Sequence, residues 1–125
     1  MKKFSKMSDT EMEIMKVIWE SDAPLTNMRL LAVFESRKWK VTTVATFLTR
    51  LADKGFVVIT KQKNTKHYSP AVTEKEYRRL EAQSFLDSMY NGSLKNFMAA
   101  LCGDGIDAKE AAELKTWLER VDAVD

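Results

Sequence analysis

Cysteine and histidine are almost missing from this sequence of 125 residues, which has one of each, Cys102 and His67. A single cysteine cannot form an internal disulfide, and one cysteine with one histidine cannot make a Cys/His metal cluster. The sequence also lacks a Gly-rich phosphate loop and a Gly-x-Ser-x-Gly nucleophile motif. We therefore expect a protein that is not an enzyme and that holds no cofactor and no metal.

Long hydrophobic runs are missing as well. No apolar stretch approaches the ~18 residues that a membrane helix needs, and the basic residues at the start are not followed by the apolar core of a signal peptide. Hydrophobic residues make up 45% of the sequence and charged residues 30%, as is typical of a globular protein. These features predict a cytoplasmic protein without membrane insertion.

Charge is divided unevenly along the chain, although its net value is only +2. Residues 1–70 carry 13 Lys and Arg against 7 Asp and Glu, whereas residues 71–125 carry 7 against 11. A basic first part and an acidic second part indicate two units with different roles. We place these units at 1–72 and 73–125.

Capping signals and apolar spacing predict three helices in the first unit. A capping box at Ser8–Glu11 begins the first helix, which ends before Pro24 because proline cannot continue it. A second helix is expected over 26–35 and a third over 42–54, where Gly55 supplies the left-handed stop.

The third predicted helix has two contrasting faces. Val44, Leu48 and Leu51 recur at i, i+4 and i+7 and predict a buried stripe. Threonines occupy another face: Thr42, Thr43, Thr46 and Thr49. Because β-branching lowers helix propensity, four threonines are an unusual choice for a helix surface without a function, although an ordinary solvated face is the alternative.

A β-hairpin follows the three helices. β-branched and aromatic runs at 56–60 and 66–70 flank a basic stretch at 61–65, which predicts two strands and a basic, flexible tip. Three helices followed by a basic hairpin are the order of a winged helix-turn-helix, whose third helix lies in the DNA major groove. Threonine hydroxyls and methyls suit base edges, and four cations suit phosphates: Lys40, Arg50, Lys63 and Lys66. Protection of the hairpin edge against aggregation is the alternative role for its lysines.

The second unit is expected to contain three more helices, two of which begin at capping boxes, Thr73–Glu76 and Asp107–Glu110. Their large apolar residues are too many for so short a segment to bury alone, which favours burial against a second copy. The predicted homodimer contacts are apolar or aromatic: Tyr77, Phe85, Leu86, Met89, Leu94, Leu114, Trp117 and Leu118. The predicted fold is mainly α with a small β wing, a winged helix-turn-helix DNA-binding domain plus a three-helix C-terminal dimerisation region.

Four segments resemble one known family. The first helix (Ser8–Trp19), the third helix (Thr43–Gly55), the end of the hairpin (Tyr68–Pro70) and the stretch Ser84–Leu94 are similar to the penicillinase repressor family (BlaI, MecI and CopY), and to its BlaI/MecI branch in particular. The likeness extends over nearly the whole chain. It implies a bacterial transcriptional repressor that binds a palindromic operator as a homodimer and controls β-lactam-resistance genes.

The resemblance also implies roles for individual residues. Thr43 and Thr46 match positions that touch bases, Thr42 stands where relatives carry lysine, and Arg50 would approach the phosphate backbone. A membrane sensor-transducer metalloprotease is implied as a further partner that cleaves an Asn–Phe bond in the dimerisation domain. The aligned bond here is Ala100–Leu101.

An Asn96–Phe97 pair lies one helical turn before that aligned bond, so the protease specificity can differ, the pair can be shifted, or cleavage is not the switch. The cysteine cluster of the copper-responsive relatives is absent, which argues against sensing of a soft metal.

Other readings remain open at this stage. A repressor of the same family could answer another signal, such as a metal or a stress, or carry a small-molecule pocket between its subunits. A winged helix could instead bind a protein partner, with the basic face incidental. An enzyme would need Cys102 or His67 as nucleophile or base, and these two residues lie in different predicted units.

Overall fold

The computed structural model describes residues 4–103 and 105–124, so that the termini at 1–3 and 125 of the two predicted domains lie outside the described residues. The elements follow the predicted order of three helices, a hairpin and three helices: α1 (Asp9–Glu20), α2 (Asn27–Val33), α3 (Val41–Asp53), β1 (Val57–Gln62), β2 (Thr65–Pro70), α4 (Glu74–Tyr90), α5 (Leu94–Cys102) and α6 (Ala108–Val124). The expected fold class, mainly α with a small β wing, is confirmed. Among the described residues, no helix is both long enough and apolar enough to cross a membrane.

The predicted capping box of α1 is present with both of its bonds. The Glu11 backbone N–H donates to Ser8 Oγ over 3.2 Å, and the Ser8 N–H donates to Glu11 Oε1 over 2.8 Å. Together these bonds satisfy two amides that a helix start leaves without an intrahelical partner. Sequence therefore places the beginning of α1 correctly.

The connection between α2 and α3 differs from the prediction. Helix α2 ends at Val33, and one turn of 3₁₀ helix follows at Glu35–Arg37 before Lys38 turns the chain with a φ of 55°. Left-handed backbone ends a helix, so this turn reorients the chain before α3 begins at Val41.

The hairpin formed by β1 and β2, called the wing below, has a tighter tip than expected. Its strands pair antiparallel from Val57 opposite Pro70 to Gln62 opposite Thr65. Only Lys63 and Asn64 connect them, with φ values of 49° and 65°. Two consecutive positive φ values are those of a type I′ turn, whose twist matches that of the paired strands. The predicted flexible tip over 61–65 is therefore wrong, because the ladder continues almost to the turn.

The core lies among the three helices of the first unit and the base of the wing. Its members from the helices are fully or almost fully buried: Ile14, Met15, Ile18, Leu30, Val44, Leu48 and Leu51. Phe56, Val57 and Tyr68 close it from the wing. Since apolar burial is the main source of folding free energy, this cluster fixes the position of α3.

The chain divides into two compact units, of which the first ends at Ser84 and the second begins at Phe85. This division lies within α4 and not at the predicted boundary between 72 and 73. In the second unit, none of the described side chains from Phe85 onward is fully buried in the single chain. Its best-packed feature is a group of three rings, in which Phe97 lies 5.4 Å from Tyr90 and 6.2 Å from Phe85 between centroids.

Candidate nucleic-acid interface

Helix α3 turns one face to the core and the opposite face to solvent. The side chains of Val44, Leu48 and Leu51 are fully buried, as their spacing predicts. The threonine face is on the outside: Thr42, Thr46 and Thr49 are exposed, and Thr43 is half-buried. Arg50 is exposed beside them. The residues that the sequence singles out for base contacts therefore lie together on one surface.

A hydrogen bond fixes the polarity of Thr46. Its hydroxyl donates to the Thr42 carbonyl oxygen over 2.9 Å, a bond back to the preceding turn. Because the hydroxyl proton is used within the helix, Thr46 offers a ligand one acceptor oxygen and one methyl group. Next to it, a shallow hollow of about 400 Å³ opens on the surface of α3, lined by Thr42, Ala45, Thr46, Thr49 and Arg50.

The beginning of α3 is held by an aromatic stack. The Trp39 ring lies between Phe34 and Phe47, with centroid distances of 5.0 and 5.7 Å. The Asn27 side-chain amide donates to the Val41 carbonyl over 3.3 Å. Lys40 precedes the helix with no side-chain capping bond and is exposed, so its ammonium group is available to a polyanion.

The end of α3 is held by an ion pair. Lys54 Nζ donates to Glu11 Oε1 over 2.7 Å and to the Lys6 carbonyl over 3.1 Å. Burial raises the pKa of the Glu11 carboxyl, but the hydrogen bond and charge of Lys54 and the hydrogen bonds of Ser8 lower it by more, so the pKa lies below its usual value. A charged carboxylate thus links α1 to the end of α3.

Two lysines of the wing face each other across the ladder. Lys61 lies directly opposite Lys66 in the register, and both side chains are exposed. Like charges in this position repel each other and destabilise a hairpin. Sequence reasoning selected Lys66 and Lys63 but missed Lys61, because only the register reveals which residues are opposed. The wing therefore presents a cationic surface of Lys61, Lys63 and Lys66 that a bound anion would stabilise.

The residues weighed for an enzyme are not brought together. His67 lies on β2, where Nδ1 is 3.2 Å from the Thr65 carbonyl oxygen, and Cys102 ends α5 in the second unit. Among residues 4–103 and 105–124, no group of three or more His, Cys, Asp or Glu is arranged to hold a metal ion.

Most of the residues that we assign to dimerisation leave apolar surface open in the single chain. Met89 is 64% and Trp117 54% exposed, and Phe85, Leu94 and Leu118 are exposed to a similar extent. Leu86 and Leu114 are half-buried. Single exposed apolar residues are common on proteins, but several within one small unit indicate a surface that becomes covered.

Tyr77 does not fit this dimerisation set. Its ring is fully buried in the first unit, 5.2 Å from the Phe56 ring and 5.7 Å from the Phe4 ring between centroids. Its hydroxyl oxygen accepts a hydrogen bond from the Met7 N–H over 2.9 Å. No surface of Tyr77 is left for a second copy, so this part of the sequence prediction is corrected.

The bond aligned with the cleavage site lies within α5. Ala100 and Leu101 are both exposed in the last turns of that helix. The Asn96–Phe97 pair lies one turn earlier, and its phenylalanine is one of the three packed rings. The Ala100–Leu101 bond is therefore the more accessible of the two.

Known proteins resemble this chain over nearly its whole length. Residues 7–120 match the family described as Penicillinase repressor. The Penicillinase repressor of Bacillus licheniformis is 34% identical over 120 residues, which cover 95% of this chain and 94% of that protein.

Two solved structures match the winged part. The DNA-binding domain of the repressor BlaI is 32% identical with a TM-score of 0.53, and the match covers 62% of this chain and 94% of that domain. Bacillus licheniformis BlaI in complex with the blaP half-operator has the same identity and coverage with a TM-score of 0.50.

Proposed function

The chain belongs to the penicillinase repressor family, and from this premise we propose that it represses transcription by binding a palindromic operator in double-stranded DNA as a homodimer. Its genes would be those of β-lactam resistance, as the name of its relative implies. The observation that carries the proposal is the exposed threonine face of α3, on a helix whose two ends are both anchored to the core. The protein acts by binding and not by catalysis, in the cytoplasm where its DNA is.

In this proposal α3 enters the major groove. Thr43 and Thr46 contact base edges, with Thr42 at the same surface, while Arg50 and Lys40 approach phosphates. The solved complex of a relative with a half-operator supports this use of the winged domain. The opposed lysines of the wing give a further reason, since a phosphate between them would offset their repulsion.

Dimerisation supplies the affinity that one small module lacks. Joining two winged helices makes the second binding event intramolecular, which is worth roughly 10² to 10⁴ in affinity. The exposed apolar residues of the second unit support this role. A dimer of this type predicts two half-sites about one helical turn apart, ~34–36 Å along the DNA.

Cleavage of the Ala100–Leu101 bond would release the operator, with a membrane sensor-transducer metalloprotease as the partner that cuts. A cut at this bond separates α6 from the rest of the chain, and with it Leu114, Trp117 and Leu118 of the dimerisation set. The dimer would then weaken, and the remaining single modules would leave the DNA.

Titration of the full chain against the duplex upstream of its own gene tests the proposed function. With a scrambled duplex as control and salt as the variable, we expect a preference of at least ~10³ and a steep fall of affinity with salt. Arg50→Ala should weaken binding, whereas Arg79→Ala, an exposed arginine on α4, serves as the matched control. Weak and equal binding to both duplexes would instead favour a winged helix that binds protein.

The cleavage step needs its own measurement. Intact-mass analysis of the chain from cells treated with a β-lactam should reveal a fragment that ends at Ala100. A fragment that ends at Asn96 would move the cut to the Asn96–Phe97 bond. Full induction of the target genes with only the intact chain present would contradict cleavage as the switch.

A further inference from the structure

We propose that the hollow on the exposed face of α3 receives the 5-methyl group of a thymine, so that this methyl group is a determinant of operator choice. The inference rests on the proposed function, because it concerns the same helix in the same groove. It goes further by assigning a chemical group on the DNA to one feature of the protein surface.

The shape of the hollow follows from the sequence of α3. Ala45 is half-buried, while the threonines one turn before and one turn after it, Thr42 and Thr49, are exposed. A side chain of one carbon between two longer side chains leaves a depression with Ala45 as its floor. The hollow lies on the face away from the buried stripe of Val44 and Leu48, which is the face that a major groove would meet.

The chemistry of the hollow is mainly apolar. Ala45 contributes only a methyl group, and the Thr46 hydroxyl proton is already donated to the Thr42 carbonyl. What Thr46 leaves free is its own methyl group and one acceptor oxygen. A polar edge of a base that entered the hollow would lose water without gaining a donor from this pair, and such a loss is unfavourable.

The major groove offers one apolar group among its base edges, the 5-methyl of thymine. Alanine and threonine methyl groups are suitable partners for it, because apolar contact removes the surface of both from water. With a volume of about 400 Å³, the hollow has room for the methyl edge of a pyrimidine. Arg50 lines the same hollow, and its positive charge suits the phosphate backbone beside the base.

Replacement of thymine by deoxyuridine tests this assignment, since the two bases differ only by the methyl group. The probe is the duplex upstream of the gene, with the thymines of its protected region replaced one at a time. For the full chain we expect at least one thymine in each half-site whose replacement lowers affinity about fourfold, the factor for burying one methyl-sized group.

A variant that fills the hollow completes the experiment. Ala45→Gln places a longer side chain, and a good helix former, on the floor, so we expect it to bind the thymine and deoxyuridine duplexes equally. Ala82→Gln, at an exposed alanine of α4, should keep the fourfold difference. Thermal unfolding of both variants checks that each one folds.

The outcomes separate this inference from the proposed function. Specific binding of the promoter duplex with no effect of any deoxyuridine overturns the thymine assignment and leaves the repressor intact. A deoxyuridine effect that is the same in Ala45→Gln assigns the methyl contact to another residue and also overturns it. Equal binding of promoter and scrambled duplexes would remove the proposed function and this inference with it.

Discussion

Lys54 Nζ lies 2.7 Å from Glu11 Oε1, and this contact joins the end of α3 to the first turn of α1. The same carboxylate oxygen accepts the N–H of Ser8, so one buried side chain both begins α1 and anchors α3. The orientation of the helix that we assign to the major groove thus depends on a residue that lies on another helix. Glu11 is a positioning residue for the interface.

Removal of the cation from this pair should destabilise the fold. Lys54→Met leaves the Glu11 carboxylate buried with only Ser8 as a donor, and we expect a loss of about 2 kcal/mol in the free energy of unfolding, since Lys54 is still partly exposed. Arg37→Met removes the cation of the more exposed pair with Glu13 and should cost less than about 1 kcal/mol. Urea unfolding measures both. Equal losses would show that burial of the pair has no special effect.

The stability of the fold should fall in acid through Glu11. Its folded pKa lies below the usual value of 4.5, so its contribution is complete above that value and is lost as the pH falls through the folded pKa. The free-energy difference between the native chain and Glu11→Gln should therefore shrink from about pH 6 to about pH 3. Glu13→Gln is the control for loss of a more exposed carboxylate. A difference that stays constant over this range would contradict the role of the charge.

Local signals account for what the sequence predicted well. The capping box at Ser8 and Glu11, and the buried stripe of Val44, Leu48 and Leu51, depend on residues within one or two turns of each other. Spacing along a helix fixes such relationships before any tertiary contact forms. These patterns identified α1, α3 and the outer face of α3.

Contacts between distant parts of the chain could not be predicted in this way. The sequence gives no sign that Lys54 meets Glu11, that Lys61 lies opposite Lys66, or that Tyr77 enters the first core. Each depends on the packing of separate elements or on strand register. The hollow at Ala45 was missed for another reason, because a small side chain attracts no attention until its longer neighbours are seen beside it.

The opposed lysines of the wing predict a conflict between stability and binding. Lys66→Glu replaces repulsion across the ladder by attraction to Lys61, so we expect the free energy of unfolding to rise by about 0.5 kcal/mol. DNA affinity should fall, and the slope of log affinity against log salt should become shallower by about 0.9 for the lost phosphate contact. Lys75→Glu, at an exposed lysine on α4, is the control. An unchanged slope would show that the wing does not touch phosphates.

Thr46 should contribute to specific binding and not to binding in general. Alanine is the better helix former, so Thr46→Ala should fold well while it lowers promoter affinity about tenfold, within the range for loss of one base contact. Affinity for the scrambled duplex should stay nearly unchanged, because phosphate contacts dominate non-specific binding. Thr116→Ala, an exposed threonine on α6, is the matched control. Equal losses on both duplexes would place Thr46 away from the bases.

Dimerisation and operator affinity should fail together. Leu118→Asp, or Trp117→Asp, places a charge on an exposed apolar side chain of α6 that we assign to the interface. Sedimentation should show a weaker dimer, and operator affinity should fall by roughly 10² to 10⁴ as the link between the modules is lost. Thr116→Asp adds the same charge at an exposed polar position of the same helix and should change neither property much.

The coupling itself, and not either loss alone, carries the dimer argument. Avidity acts only while both winged helices contact DNA at once, so a variant that is monomeric at the working concentration must bind the full palindrome no better than a half-site. Titration of Leu118→Asp against a palindrome and a single half-site measures this directly. A monomeric variant with native affinity for the palindrome would mean that the exposed apolar residues of α6 have a purpose other than joining two copies on the operator.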